Sequence, residues 1–167
     1  MKHILAVLVE NKPGVLARVA GLFSRRGFNI DSIAVGETTD PAISRMTIMV
    51  EADEKTLEQI DKQLNKLVNV LKVSNLTREG VVMRELMLIK VRTSPETRQE
   101  IQHIIDSFRA KIVDVSLNSL IIEVTGDEEK LEALQNLLEH FGILEMVRTG
   151  KIAILRGSKI TKNGRMS

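Results

Sequence analysis

Hydrophobic positions in the first part of the chain follow a strand pattern and then a helix pattern. Residues 4–9 are a continuous run of aliphatic side chains, which predicts a buried strand. The next segment, Asn-Lys-Pro-Gly at 11–14, is typical of a turn. After this turn, apolar side chains recur at helical spacing at Val15, Leu16, Val19, Leu22 and Phe23. Arg25, Arg26 and Gly27 are typical of a helix end, because cations and a left-handed glycine are favoured there.

The pattern then predicts two strands, a second helix and a final strand. Over 28–36 the apolar positions change phase, which indicates a strand with a bulge. Residues 46–51 alternate between apolar and polar and predict a half-buried strand. Asp53 is the predicted N-cap of a helix whose apolar face consists of Leu57, Ile60, Leu64 and Leu67. With a last strand over 68–73, the order of elements is β-α-β-β-α-β.

The same order of elements restarts at Met83. A predicted strand leads to Thr-Ser-Pro at 93–95, where we expect Ser94 to cap a helix and Pro95 to occupy its first position. Two further strands lead to a second helix, which Asp127 is predicted to cap.

The second repeat ends in an apolar segment over 143–155, which is expected to close the unit and to be broken near Gly150. Aligning the two halves pairs Pro13 with Pro95. It also matches the cap and the apolar face of the last helix in one half with those in the other. This agreement along the whole alignment indicates an internal repeat.

Two repeats of this order predict an α+β fold with two ferredoxin-like β-α-β-β-α-β domains. Right-handed crossovers place both helices of each unit on one face of a four-stranded antiparallel sheet. The predicted boundaries are 1–77 for the first domain and 83–157 for the second. The polar residues 158–167 are predicted to form a disordered tail.

Composition and charge exclude several classes of protein. The 24 Lys and Arg nearly balance the 22 Asp and Glu, and the chain has no Tyr, Trp or Cys. Proteins that bind single-stranded nucleic acid stack the bases on exposed aromatic rings, so no nucleic-acid partner is expected. No apolar segment approaches the ~20 residues of a membrane span, so no membrane partner is expected either. Without Cys there is no disulfide framework, and a cytoplasmic location is the natural expectation.

The first turn between a strand and a helix is the candidate binding site. The N-terminus of the predicted helix has free N–H groups that favour a carboxylate or phosphate, and Gly14 would let that anion approach the backbone. Asn29, at the start of the next strand, is expected to lie within reach of this turn. The equivalent turn of the second repeat has Glu96, whose carboxylate would itself fill the positive end of the helix. On spacing alone, the simpler interpretation of Gly14 and Asn29 as ordinary turn residues is favoured.

No catalytic or metal site is predicted. His3, His103 and His140 have no ligand spacing and are expected to be ordinary, partly exposed histidines. The pair Gly14-Val15 followed by Arg18 faintly resembles the phosphate loop of acylphosphatases, which makes a hydrolase the enzyme alternative. A solvated Arg18 on a helix is the simpler interpretation.

Residues 4–48 read ILAVLVENKPGVLARVAGLFSRRGFNIDSIAVGETTDPAISRMTI. This stretch closely resembles the small regulatory subunits of acetolactate synthase (acetohydroxyacid synthase), whose N-terminal half is an ACT domain. The resemblance continues through 54–73 and, more loosely, to about Gly157. It implies a non-catalytic chain that binds and activates a catalytic large subunit, which makes acetolactate from pyruvate in branched-chain amino-acid biosynthesis. It also implies feedback inhibition by valine or a related amino acid, with thiamine diphosphate, magnesium and FAD held by the catalytic subunit and no cofactor in this chain.

The resemblance further implies a homodimer with the sheets of two ACT domains paired and the ligand held between them. The binding residues map onto Asn11, Gly14 and Asn29, with backbone groups of Val15, Leu16 and Ile30. The ligand carboxylate would then meet the helix N-terminus, and an asparagine oxygen would accept from its ammonium group. An ACT-type regulator of another amino-acid enzyme is the alternative, since it would share this turn but not the second domain.

Overall fold

The computed structural model describes residues 1–161. Within this range the chain forms nine strands and four helices in the order that follows. They are β1 (Lys2–Glu10), α1 (Val15–Arg25), β2 (Ile30–Glu37), β3 (Ile43–Glu51), α2 (Glu54–Asn65), β4 (Val70–Asn75), β5 (Val81–Arg92), α3 (Arg98–Ser107), β6 (Lys111–Val115), β7 (Ser119–Gly126), α4 (Glu128–Glu139), β8 (Ile143–Arg148) and β9 (Ile152–Leu155).

The strands form two antiparallel sheets of the same topology. The first has the order β2-β3-β1-β4 and the second the order β6-β7-β5-β8, with β9 also hydrogen-bonded to β5. In each, the first and third strands of a β-α-β-β-α-β unit lie at the centre, which confirms the predicted α+β fold with two ferredoxin-like repeats.

Contacts along the chain divide the molecule into two compact units. Residues 1–82 group with residues 151–161, and residues 83–150 form the other unit. The domain boundaries 1–77 and 83–157 stay predictions. In the predicted tail 158–167, the first four residues belong to no helix or strand, and residues 162–167 lie outside the described residues.

The core of the first unit lies between its sheet and its two helices. The central strand β1 packs alternate side chains under α1 and α2, because successive residues of a strand point to opposite faces of the sheet. Ala6 and Leu8, on its other face, are buried as well. Phe23 of α1 meets Phe28 edge to face, with ring centroids 6.2 Å apart. The buried cluster comprises Leu5, Val7, Val9, Val15, Val19, Leu22, Phe23, Met46, Ile48, Val50, Leu57, Ile60 and Leu64.

The core of the second unit repeats this arrangement with α3 and α4. Its buried cluster comprises Met87, Ile89, Val91, Ile101, Ile105, Leu120, Ile122, Val124, Leu131, Leu134 and Leu138. The apolar faces predicted for the helices of both repeats are therefore confirmed, except that Leu16 is 49% exposed and Leu67 lies beyond the end of α2 at Asn65.

The predicted helix ends of α1, α2 and α4 are confirmed. The Asp53 carboxylate accepts from the Thr56 N–H at 2.7 Å, and the Asp127 carboxylate accepts from the Lys130 N–H at 2.9 Å. Helix α1 ends at Arg25 with Arg26 as its C-cap. Gly27 follows at φ 71°, a left-handed conformation that glycine adopts without a steric penalty. The bulge predicted in the second strand is also present, as a register shift between Ile30 and Ser32.

The predicted start of α3 is wrong. The helix begins at Arg98 with Thr97 as its N-cap, not at Pro95 after Ser94. Residues 94–97 form a separate turn in which the Thr97 N–H donates to the Ser94 carbonyl at 3.2 Å and the Thr97 hydroxyl accepts from the Ser94 N–H at 2.9 Å. These local bonds of Ser94 compete with its capping of the helix.

The prediction that β3 is half-buried is also wrong, since Thr47 and Met49 on its second face are as buried as its core residues. Strand β9 lies on that face, where the Arg45 guanidinium donates to the Ala153 carbonyl at 2.7 Å. His3 is buried as well, only 2% exposed, and its Nε2 is 2.9 Å from the Ala52 carbonyl oxygen. Among the described residues, no helix is long and apolar enough to cross a membrane.

Candidate functional site

The candidate site begins at the turn that joins β1 to α1. Gly14 is the N-cap residue of α1 and adopts a left-handed conformation, with φ 85° and ψ −9°. No side chain caps this helix, and its first turn contains no acidic residue. The N–H groups at the start of a helix have no partners within the helix and carry the positive end of its dipole. This turn therefore offers an uncapped, electropositive helix end to an anion.

Gly14 keeps this end open. A Cβ atom built at Gly14 would have no other atom within 4 Å, so the space beside the turn is empty. The positive φ favours glycine over residues with a side chain. Both features leave the backbone of the turn accessible to a small ligand.

Asn11 is held in place at the end of β1. Its backbone N–H donates to the Ala42 carbonyl at 2.8 Å. Its side-chain Nδ2 donates to the Glu37 carboxylate at 3.2 Å and to the Pro41 carbonyl at 2.9 Å. This assignment of the amide leaves Oδ1 as an acceptor on an exposed side chain. Asn11 can therefore accept from a ligand's ammonium group while the loop after β2 fixes its orientation.

Charged side chains around the turn are already engaged. The Lys12 ammonium lies 2.7 Å from the Glu10 carboxylate, and the Arg18 guanidinium donates to the Asn69 side chain. Arg18 therefore lies on α1 as the helical pattern predicts, in a contact that gives no support to an acylphosphatase-like phosphate loop.

The first two helical residues after Gly14 differ in exposure. Val15 is buried in the core, whereas Leu16 is half-exposed beside the turn.

The structure does not bring Asn29 and Ile30 to this turn within one chain. Ile30 pairs with Val50 at one end of β3, whereas Glu10 pairs with Ile43 at the other end. Ile43 and Val50 are seven residues apart along β3, so Glu10 and Ile30 are separated by about 23 Å along the sheet at ~3.3 Å per residue. The expectation that Asn29 reaches the Gly14 turn of its own chain is therefore wrong. Asn29 itself is exposed, with its Nδ2 3.4 Å from the Asp31 carboxylate.

The corresponding turn of the second unit differs in its chemistry. Thr93 occupies the place of Asn11, since its N–H donates to the Asn118 carbonyl at 2.9 Å across the equivalent loop. Glu96 stands where the first unit has Gly14. The Glu96 carboxylate accepts from its own backbone N–H and from the Ser94 hydroxyl. Both bonds lower the pKa of the Glu96 carboxyl, and the backbone bond has the larger effect. A carboxylate of the protein thus already occupies the second turn.

Two contributors to the first turn are absent from the sequence-based prediction. Glu37 and Pro41 orient Asn11 although neither lies near it in sequence. The pairing of Glu10 with Ile43 brings the loop after β2 beside the end of β1. The available signal was the predicted β-α-β-β-α-β order, because in that fold the third strand runs antiparallel to the first and begins beside its end. Among residues 1–161, no group of three or more histidines and carboxylates is placed to hold a metal ion.

Two family models match the two halves of the chain. One, described as an AHAS small subunit-like ACT domain, matches residues 5–72, and the other, the small subunit of acetolactate synthase, matches residues 84–157. The first half is therefore an ACT domain by both topology and sequence.

Proteins similar to the whole chain carry the same description. A probable acetolactate synthase small subunit from Archaeoglobus fulgidus is 60% identical over 159 residues, which cover 95% of this chain and 99% of that protein. The acetolactate synthase small subunit of Mycolicibacterium smegmatis is 55% identical over 157 residues, which cover 94% of this chain and 92% of that protein. The crystal structure of the Thermotoga maritima small subunit is 50% identical with a TM-score of 0.88, covering 95% of this chain and 99% of that one. The chain belongs to the acetolactate synthase small subunit family.

Proposed function

We propose that this chain is a regulatory, non-catalytic subunit that binds valine or another branched-chain amino acid between the ACT domains of a homodimer. Its partner would be the catalytic large subunit of acetolactate synthase, which holds thiamine diphosphate, magnesium and FAD. The subunit would activate this partner and confer feedback inhibition on it. The observation that carries the proposal is the uncapped N-terminus of α1 at Gly14.

The chemistry of an amino-acid ligand fits the two polar features of this turn. Its carboxylate would meet the N–H groups of Val15 and Leu16 after Gly14. The Val15 N–H donates to the Lys12 carbonyl at 3.4 Å, a long bond that the ligand carboxylate would replace or share. Its ammonium group would donate to the Asn11 Oδ1, whose amide is oriented by Glu37. The half-exposed Leu16 side chain offers apolar surface next to these groups.

The position of Asn29 and Ile30 supports a site shared between two copies. These residues lie about 23 Å along the sheet from the Gly14 turn of their own chain, so one copy would supply the turn and the other would supply Asn29 and Ile30. A site that is complete only in the dimer would make ligand binding depend on how the two copies are arranged. Valine would then inhibit by stabilising the arrangement that activates the catalytic subunit less.

Calorimetric titration of the purified chain with valine tests this proposal, with leucine and isoleucine as further ligands. We expect saturable binding of one valine per chain or per pair of chains. Gly14→Asp places a carboxylate beside that of the ligand, and we expect it to weaken valine binding by about a hundredfold or more, as for two like charges in contact.

Two control variants separate charge from strain and from general damage. Gly14→Asn has nearly the same shape as Gly14→Asp and tolerates a left-handed backbone, so it should retain more binding. Glu96→Gln alters the equivalent turn of the second unit and should leave valine binding unchanged. In all three variants the activation of the catalytic subunit should persist. Full valine binding by Gly14→Asp would show that the site lies elsewhere.

A further inference from the structure

A cavity of about 460 Å³ lies on the face of the first sheet opposite α1 and α2. Lys72 and Ser74 of β4 line this cavity. They pair with Leu8 and Ala6 of β1, which alternate with the core residues of that strand, so both face away from the helices. The volume falls within the range of ligand pockets, roughly 300–1,000 Å³. The cavity is therefore large enough for a small organic molecule.

Strand β9 crosses this face of the sheet and leads to the cavity. The Lys151 N–H donates to the Ser32 hydroxyl of β2 at 2.8 Å, and the Arg45 guanidinium of β3 donates to the Ala153 carbonyl at 2.7 Å. Leu155, at the end of β9, lines the cavity beside the opposite edge strand, β4. All of these residues belong to the first unit. The cavity thus lies between β4 and the chain that follows β9.

The charged groups that line the cavity have one positive charge in excess. The Lys159 ammonium lies 2.8 Å from the Glu79 carboxylate, and this hydrogen bond raises the pKa of Lys159. Lys72 is the other lining cation, and within residues 1–161 it has no ion pair. An ammonium group without a counter-ion attracts an anion to the adjacent space. The cavity therefore favours a ligand with a single negative charge.

Hydroxyl groups and aliphatic side chains complete the lining. The hydroxyls are those of Ser74, Ser158 and Thr161. The Thr161 oxygen is buried and has no hydrogen-bond partner in the described part of the chain, and rotation about χ1 would let this hydroxyl donate to a ligand. Leu76 and Ile160 supply apolar surface, and Ile160 is 70% exposed. A ligand with an aliphatic part would remove some of this surface from water.

We propose that the cavity binds a small organic carboxylate with a short aliphatic chain. The carboxylate would accept from the Lys72 ammonium and from the hydroxyls of Ser74 and Thr161, while the aliphatic chain contacts Leu76. This site is separate from the turn at Gly14, because α1 covers the opposite face of the sheet. The proposal therefore does not depend on valine binding at that turn.

An NMR titration of the full chain with sodium butanoate tests the proposal. We expect saturable shifts of the backbone amide signals of Ser74 and Leu76. The amide signals of Val15 and Leu16 report on the turn at Gly14, so binding at the two places is distinguished. Butanamide has nearly the same shape without the charge, and we expect it to bind about tenfold more weakly or less.

Variants of Lys72 test the role of its ammonium group. Lys72→Gln should raise the dissociation constant of butanoate about tenfold or more, because a charged hydrogen bond is lost. Lys72→Arg keeps the charge and should bind butanoate more tightly than Lys72→Gln. Lys66→Gln is the matched control, since it removes the same charge from an exposed position outside the cavity, and it should bind like the unaltered chain. Circular dichroism should show the same fold in all three variants.

A further measurement uses the unaltered chain alone and covers the case in which a Lys72 variant fails to fold. Added sodium chloride should weaken butanoate binding, because salt screens the attraction between the ammonium and the carboxylate. The binding of butanamide should not weaken in the same way.

The absence of saturable shifts at Ser74 and Leu76 with butanoate would overturn the proposal. Equal affinity for butanoate and butanamide, or equal affinity of the unaltered chain and a folded Lys72→Gln for butanoate, would overturn it as well. Inorganic phosphate that saturates the same signals at a lower concentration than butanoate would overturn the assignment to a carboxylate. The valine site can fail separately, because Gly14→Asp should lose valine binding and keep the butanoate shifts at Ser74.

Discussion

The two units of this protein share one fold but differ at one turn. Both sheets have the same strand order, and equivalent aspartates, Asp53 and Asp127, cap the last helix of each. At the turn before the first helix, the first unit has Gly14 and an uncapped helix, whereas the second has Glu96 held by the Ser94 hydroxyl. The residues that build the fold are thus repeated, and the residues that would bind a ligand are present in only one copy.

The largest expected effect tests whether the two cores are equivalent. Ile60 of α2 and Leu134 of α4 are both fully buried at matching positions. We expect Ile60→Ala and Leu134→Ala each to destabilise its own unit by about 2–5 kcal/mol, because each leaves a cavity under the sheet. Native-state hydrogen exchange would locate the loss. A loss spread evenly over both units by either variant would show that the units do not unfold separately.

A smaller effect tests the equivalence of the two caps. Asp53→Ala and Asp127→Ala each remove the acceptor of one N–H at the start of a helix. We expect each to lower the melting temperature of its own unit by a few degrees, since an N-cap contributes modestly to helix stability. Asp53→Asn and Asp127→Asn are the controls, because asparagine also caps well. Unequal losses of melting temperature at the two positions would show that the two caps are not equivalent.

The smallest effect concerns the turn at which the units differ. The backbone N–H of Glu96 and then the Ser94 hydroxyl lower the pKa of the Glu96 carboxyl. Ser94→Ala should therefore raise that pKa towards its ordinary value, which an NMR titration of the carboxyl would measure. The pKa of Asp53, which the Thr56 N–H lowers, should not change. An unchanged pKa of Glu96 in Ser94→Ala would mean that the hydroxyl does not bond it.

The same pKa shift has a defined sign in the stability of the second unit. A carboxyl whose pKa is lower in the folded than in the unfolded state stabilises the fold at pH values above the unfolded-state pKa. That contribution disappears as the pH falls through the folded-state pKa. Melting curves recorded between neutral pH and pH 3 should therefore show a slightly smaller acid destabilisation in Glu96→Gln than in the unaltered chain.

Much of the fold was predictable because its signals are local. The apolar run of β1 and the stripe of α1 lie within one segment each, and Asp53 caps a helix three residues away. The candidate turn was predictable for the same reason, since Gly14 lies between a strand and a helix. The start of α3 was not, because Ser94 and Thr97 bond to each other and compete with the helix cap.

The sequence by itself determined the two repeats, their helix faces and caps, and the turn at Gly14, since each depends on residues within a few positions of one another. Only the tertiary structure decided that Asn29 lies at the opposite end of the sheet from that turn, because strand register sets this separation. It also decided that β9 returns to the first unit, where Arg45 bonds Ala153 across 108 residues of chain. Local patterns specify which face of an element is apolar, but what covers that face depends on segments distant in sequence.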